Sequence, residues 1–156
     1  LIVIAKNRRA HAGLTEQFAA RTVEKTYLVL VKGRLSPEQG IIEADIGRDT
    51  ANRQRMAVVS SGKPARTRYR VKRYLGDYTL AEISLETGRT HQVRVHLAAI
   101  GFPVAGDPIY GVKMPPLARQ FLHAHRLRFM HPATGKAIEL ESPLPPDLQA
   151  ALVSIS

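Results

Sequence analysis

A chain of 156 residues, 44% apolar and 23% charged, suits one soluble domain that buries roughly 70% of the surface its unfolded form exposes. It has no cysteine, which excludes disulfides, thiolate metal sites and a cysteine nucleophile and fits a cytoplasmic setting; the apolar runs 1–5 and 27–31 are too short to span a bilayer. A net charge of +10, carried by 16 Arg and 7 Lys, points to a polyanion, nucleic acid ahead of membrane, and the excess of Arg suits bidentate phosphate and base recognition.

Residues 1–5 (LIVIA) read as a buried strand. With no initiating methionine and Leu1 opening in mid-strand, the chain reads as a fragment of something longer, and residues 1–5 do not resemble a signal peptide. Gly13, Thr15 and the following Glu16, Gln17 and Phe18 suggest a short capped helix to about Arg21. Residues 26–32 and 41–46 are expected strands, with a turn at 36–40 between them. The segment 47–62 lacks any period and is expected to be an exposed loop carrying Arg48, Arg53 and Arg55. Residues 65–74 alternate, placing Arg66, Arg68, Arg70 and Lys72 on one face; Gly76-Asp77 turns the chain into a returning strand at 79–85. Thr90 is the expected cap of a helix over 91–100, with Val93, Leu97 and Ile100 as its core stripe. A loop at 101–116 leads to strands at 121–129 and 137–141 and a last helix at 147–153. The order predicts one α+β domain over 1–156: a mixed, mostly antiparallel sheet flanked by short helices and loops.

Two familiar chemistries fail. Gly106-Asp-Pro-Ile-Tyr-Gly111 has phosphate-loop spacing but continues Val112-Lys113, without the required Lys-Ser/Thr. His91 and His96 stand about 140° apart around a helix, unlike a zincin pair. His123 and His125 share a strand face, yet no neighbouring sequence supplies a carboxylate partner. The stripe Arg66, Arg68, Arg70, Lys72 contains no acid and is expected to track phosphates. The densest polar segment, 86–96, concentrates Arg89, His91, Gln92, Arg94 and His96 where a turn enters a helix, which suits anion or base recognition. Arg94 lies beside core-facing Val93, so its head group reaches inward or into a cleft and needs a carboxylate partner.

ETGRTHQVRVHLAAIGFPVAGDPIYG (86–111) resembles the signature of the ribosomal large-subunit pseudouridine synthases of RluA type. LIVIAKN (1–7), EKTYLVLVKG (24–33), IGRDTANRQRMAV (46–58), ARTRYRV (65–71) and LHAHRLRFMHPATGKAIELESPLPPDL (122–148) resemble further landmarks in the family's order. The resemblance implies isomerisation of uridine to pseudouridine in RNA, most readily large-subunit ribosomal RNA, with no cofactor or metal. It implies that Tyr27 packs on the base and assists proton removal at C5, and that Arg94 pairs with a catalytic aspartate. Leu122 is then an apolar base contact, and Arg89 and His91 are RNA contacts.

That nucleophile belongs to an R-L-D motif expected immediately before Leu1 and absent from the chain. None of Asp45, Asp49, Asp77, Asp107 or Asp147 stands in its context, and Asp107 is expected to cap the turn around Pro108. The chain alone is therefore expected to be catalytically incomplete, and a monomer is the default. The alternatives are a non-catalytic RNA-binding module that keeps the fold, and a basic ribosome-associated structural protein.

Overall fold

The computed structural model describes residues 1–115 and 117–155. In chain order these form α1 (Arg8–Ala19), β1 (Glu24–Lys32), β2 (Gln39–Glu43), β3 (Ile46–Arg48), β4 (Met56–Val58), β5 (Arg66–Leu75), β6 (Tyr78–Leu85), α2 (Gln92–Ala99), β7 (Leu122–Met130), β8 (Ala137–Glu141) and α3 (Pro146–Val153). Six strands make one sheet in the order β2-β5-β6-β1-β7-β8, and β3 and β4 form a separate hairpin. Among the described residues all strand pairs are antiparallel, and the one isolated parallel bridge joins Ala105 to Val112. The class is α+β, as expected.

The unbroken apolar run of β1 marks a strand covered on both faces. Val29 and Val31 pack with Val93 and Leu97 of α2, while Leu30 packs with Phe121 and with Leu148 and Ala151 of α3. Val29, Leu30, Val31 and Phe121 are fully buried, and each such side chain contributes roughly 1.5–3 kcal/mol. By contrast, β5 alternates: Thr67 and Tyr69 are buried, Arg68 and Arg70 exposed.

Five local expectations need correction. Residues 1–5 form no strand: Val3 and Ala5 pack on Leu14, Val23, Leu127 and Phe129, Ile2 and Ile4 stay exposed, and the segment joins no strand ladder, although the Leu1 amino group donates to the Ala124 carbonyl of β7 at 3.4 Å. The first helix starts earlier, because Asn7 caps it by accepting from the Ala10 N–H at 2.9 Å, so Thr15 lies inside. The expected strand 41–46 splits into β2 and β3. The 47–62 loop contains the β3–β4 hairpin, whose three-residue strands are too short to show a period. Ile100 is 38% exposed and drops out of the core stripe; α2 instead buries every residue from Gln92 to Leu97. The end of the expected loop at Pro116 lies outside the described residues.

Burying α2 on all sides requires its polar groups to be satisfied. His96 is fully buried, with Nδ1 2.9 Å from Thr67 Oγ1 and Nε2 3.0 Å from the Ala44 carbonyl. Burial lowers its imidazole below 6.5, and the bond to Ala44 only partly offsets this, so folding selects the neutral ring. A depressed histidine gives stability that is present above the unfolded value of about 6.5 and lost as pH falls below it. The urea midpoint is therefore expected to fall between pH 6.5 and 5, and His96→Gln is expected to remove part of that dependence.

Candidate active site

The entrance of α2 is assembled by Gln92, which is 2% exposed. Its Oε1 accepts from the Arg89 N–H (2.9 Å) and the Thr87 hydroxyl (2.7 Å); its Nε2 donates to the Arg66 carbonyl (3.0 Å) and Thr67 Oγ1 (2.9 Å). The amide thus bonds through both its donor and its acceptor end and rivets the helix to β5. Thr90 caps nothing; His91 takes the cap position without a side-chain cap bond, at φ 56° and ψ 18°. That left-handed conformation costs a non-glycine residue roughly 1–2 kcal/mol.

Arg94 is 7% exposed and finds its carboxylate inside the chain. Its Nε donates to Asp107 Oδ2 at 2.6 Å and its Nη2 to Oδ1 at 2.7 Å. Asp107 also accepts from the Ile109 and Tyr110 N–H groups at 2.9 and 3.1 Å, so the expected turn cap is present. Its second role, as partner of Arg94, was not foreseen. Burial acts to raise the Asp107 carboxyl, but the bonds from Arg94, Ile109 and Tyr110 outweigh it and hold the group below the usual carboxylate range. The bond to Asp107 in turn raises the Arg94 guanidinium above its ordinary value. The two glycines of the failed phosphate loop serve this turn. A Cβ on Gly111 would stand 2.0 Å from the Val104 carbonyl oxygen, and Gly106, at φ 73°, would put one 2.3 Å from the Arg119 carbonyl oxygen.

Tyr110, also unforeseen, sits at the centre of the site. Its ring centroid is 4.9 Å from the Arg94 guanidinium and 5.1 Å from that of Arg55. Its hydroxyl accepts from the Met56 N–H of β4 at 2.8 Å and lies 3.0 Å from His91 Nδ1. Arg55 also donates to the Ile109 carbonyl. Burial foremost, then Arg94, lowers the His91 imidazole below 6.5, with Asp107 pulling the other way and Arg48 lowering it further. Asp107 and Tyr110, one and four places into the Gly-Asp-Pro-Ile-Tyr-Gly run, were visible only as a spacing.

The remaining basic residues divide in two. The Arg66, Arg68, Arg70 stripe is not free of acid, because neighbouring strands supply it. Arg66 Nη1 donates to Glu86 (3.1 Å), Arg68 Nε donates to the same carboxylate, and Arg70 Nη2 donates to Glu82 (3.2 Å). Arg66 Nε also lies 2.8 Å from Glu43, off the hydrogen-bonding direction. The hydrogen bond from Arg68 foremost holds Glu86 below its ordinary value. The arginine ends of these pairs are exposed and each pair contributes little stability, but the acids lower the stripe's net positive charge. Arg48, Lys63 and Arg89 are different. With Ser61 and Thr90 they line an open pocket of about 500 Å³, and none of the three pairs with a carboxylate among the described residues. Arg48 Nη1 donates to the Arg53 carbonyl and Arg89 Nε to the Pro64 carbonyl. Arg53 is exposed on the same hairpin. Lys63 was not among the expected contacts.

Tyr27 lies on central β1, opposite Ile83 on one side and Ala124 on the other. Val29, two residues along the same face, is opposite Leu122, so Tyr27 and Leu122 are diagonal neighbours on the face that α2 covers. Beyond Tyr27 an open pocket of about 260 Å³ is lined by Leu1, Ile2, Val3, Phe18 and Ala124. Burial raises the Tyr27 phenol above 10, and its hydroxyl has no hydrogen-bond partner among the described residues. His123 Nε2 and His125 Nδ1 both approach the Ser142 carbonyl, at 3.0 and 2.8 Å, and no group of three or more potential ligands suited to a metal occurs among the described residues. No helix there is long and apolar enough to cross a membrane.

Fold, motif order and site together define the class: the chain belongs to the RNA pseudouridylate synthase family, whose model matches residues 1–99. Its relatives make it RluA-type. The ribosomal large subunit pseudouridine synthase D of Nitrosomonas europaea is 49% identical over 99% of this chain and 47% of its own length. An uncharacterized RNA pseudouridine synthase of Chloroflexus aurantiacus is 52% identical over 97% of this chain and 48% of its own. Among solved structures, human RNA pseudouridylate synthase domain containing 1 has a TM-score of 0.79 at 33% identity, covering 94% of this chain and 66% of that one. The chain spans about half the length of the curated relatives it matches.

Proposed function

We propose that the intact protein, a cytoplasmic monomer needing no metal or cofactor, isomerises specific uridines of large-subunit ribosomal RNA to pseudouridine. The bond from the ribose C1′ to N1 of uracil breaks, the base turns, and a bond forms from C1′ to C5. C5 then loses its hydrogen as a proton, while N1 ends protonated. Arg94 carries this reading. Asp107 occupies the Nε/Nη2 edge of its guanidinium, while Nη1 has no acceptor among the described residues. The end-on edge of a guanidinium suits a second carboxylate, and the nucleophilic aspartate expected ahead of Leu1 is the one proposed to take it. Tyr27, protonated at neutral pH, packs on the uracil with Leu122 and relays the C5 proton. The target nucleotide leaves its stack to reach them.

Flanking phosphates are held at Arg48, Lys63 and Arg89, with Arg53, Arg55 and His91 along the same side; the carboxylate-paired Arg66, Arg68 and Arg70 contribute less. Replacing Arg48, Lys63 or Arg89 by Gln is expected to reduce the slope of log affinity against log salt by about 0.7 to 0.9 each, and Arg68→Gln by clearly less. Fluorescence titration with ribosomal RNA fragments over a salt series checks this.

The isomerisation is tested by incubating unmodified large-subunit RNA with the intact protein. Carbodiimide treatment and reverse transcription then locate any pseudouridine. Discrete new stops are expected; binding without any stop would favour the non-catalytic module.

A further inference from the structure

We propose that Tyr110 is a positioning residue: its hydroxyl latches the β3–β4 hairpin to the entrance of α2 and fixes the His91 tautomer, while its ring seats the Arg94 guanidinium. The inference deepens the isomerase reading and rests on it for its kinetic part.

Hydrogen-bond bookkeeping carries the first half. The Tyr110 oxygen already accepts the Met56 N–H at 2.8 Å, so its single hydrogen is available for His91 Nδ1, 3.0 Å away. His91 Nδ1 is then an acceptor, which makes the ring neutral with its proton on Nε2. A protonated His91 would present a second donor to the same oxygen and leave the hydroxyl hydrogen without its acceptor. The charged and titratable groups facing His91 are Arg94 on α2, Asp107 and Tyr110 on the following loop, and Arg48 on β3. The left-handed backbone of His91 brings its ring edge-on to Tyr110, with centroids 5.5 Å apart.

The ring carries the second half. Arg94 and Arg55 each place a guanidinium near it, at 4.9 and 5.1 Å from the centroid. Two like charges are brought to one residue only where something offsets their repulsion. Asp107 does so for Arg94, and the π system contributes for both. One side chain thus joins the hairpin that bears Arg48, Arg53 and Arg55 to the arginine of the proposed chemistry. RNA held by the hairpin is thereby registered against Arg94.

The test uses the intact protein with ribosomal RNA as substrate and nitrogen NMR of the histidine rings. Tyr110→Phe keeps the ring and removes the latch. It is expected to raise KM for RNA roughly tenfold with kcat within about twofold of wild type, and to shift the His91 Nδ1 resonance. Tyr110→Leu removes the ring too and is expected to lower kcat about tenfold further. A Phe variant with wild-type KM and an unchanged His91 resonance would overturn the latch, whether or not the Leu variant folds. Wild-type protein that binds RNA but converts no uridine would overturn the isomerase reading instead, and the His91 resonance of the Phe variant would still decide the latch.

Discussion

Replacing Arg94 by Ala is expected to abolish conversion by the intact protein and to destabilise the fold by about 3–5 kcal/mol. The stability loss follows from what stays behind. Asp107 is 2% exposed and would keep only the Ile109 and Tyr110 N–H groups as partners, leaving a buried carboxylate with no countercharge. Urea denaturation reads this term. Arg94→Lys separates it from the chemistry. An ammonium can neutralise Asp107, but it has no planar fork with which to bind one carboxylate side-on and a second end-on. The Lys variant is therefore expected to recover much of the stability and little of the turnover. Acid probes the same pair. Asp107 lies below its ordinary value in the fold, so its contribution is present above about 3.8 and is lost as pH falls through the lower, folded value.

Tyr27→Phe is expected to lower kcat at least about 100-fold while leaving RNA affinity and stability near wild type. The phenol ring packs against the cluster of Val29, Val31 and Ile83, and phenylalanine preserves that packing. The hydroxyl bonds to nothing among the described residues, so its removal breaks no structural contact. A tyrosine present only for packing would tolerate the change without loss of rate. Single-turnover kinetics with saturating enzyme isolates the chemical step, and an unchanged rate would remove Tyr27 from the reaction.

The readable parts of this molecule were local. Alternation in β5, the turn at Gly76-Asp77 and the apolar run of β1 each leave a period or a breaker in a few consecutive residues, and those elements appear close to where they were expected. Segment 1–5 was misread because a branched apolar run specifies a strand only where a partner strand exists. The Arg66–Arg70 stripe was misread for a related reason. Its acids lie on β2, on β6 and just beyond β6, and the register that aligns Arg70 with Glu82 is a tertiary fact. Arg94 could be flagged as needing a carboxylate, but nothing in the linear spacing chose Asp107, thirteen residues on, over an aspartate outside the chain. Tyr110 was hidden further still, since its partners Met56, Arg55, His91 and Arg94 come from two segments distant from it in the chain.

The most direct measurement is tritium release from RNA carrying 5-tritiated uridine, because a carbon–carbon bond at C5 must expel that hydrogen. The 156-residue chain would be run beside a version extended ahead of Leu1, with and without Arg94→Lys. Release by the extended protein alone, lost with Arg94→Lys, is the predicted result. RNA binding with no release from any of them, or release undiminished by the Arg94 substitution, would contradict the account.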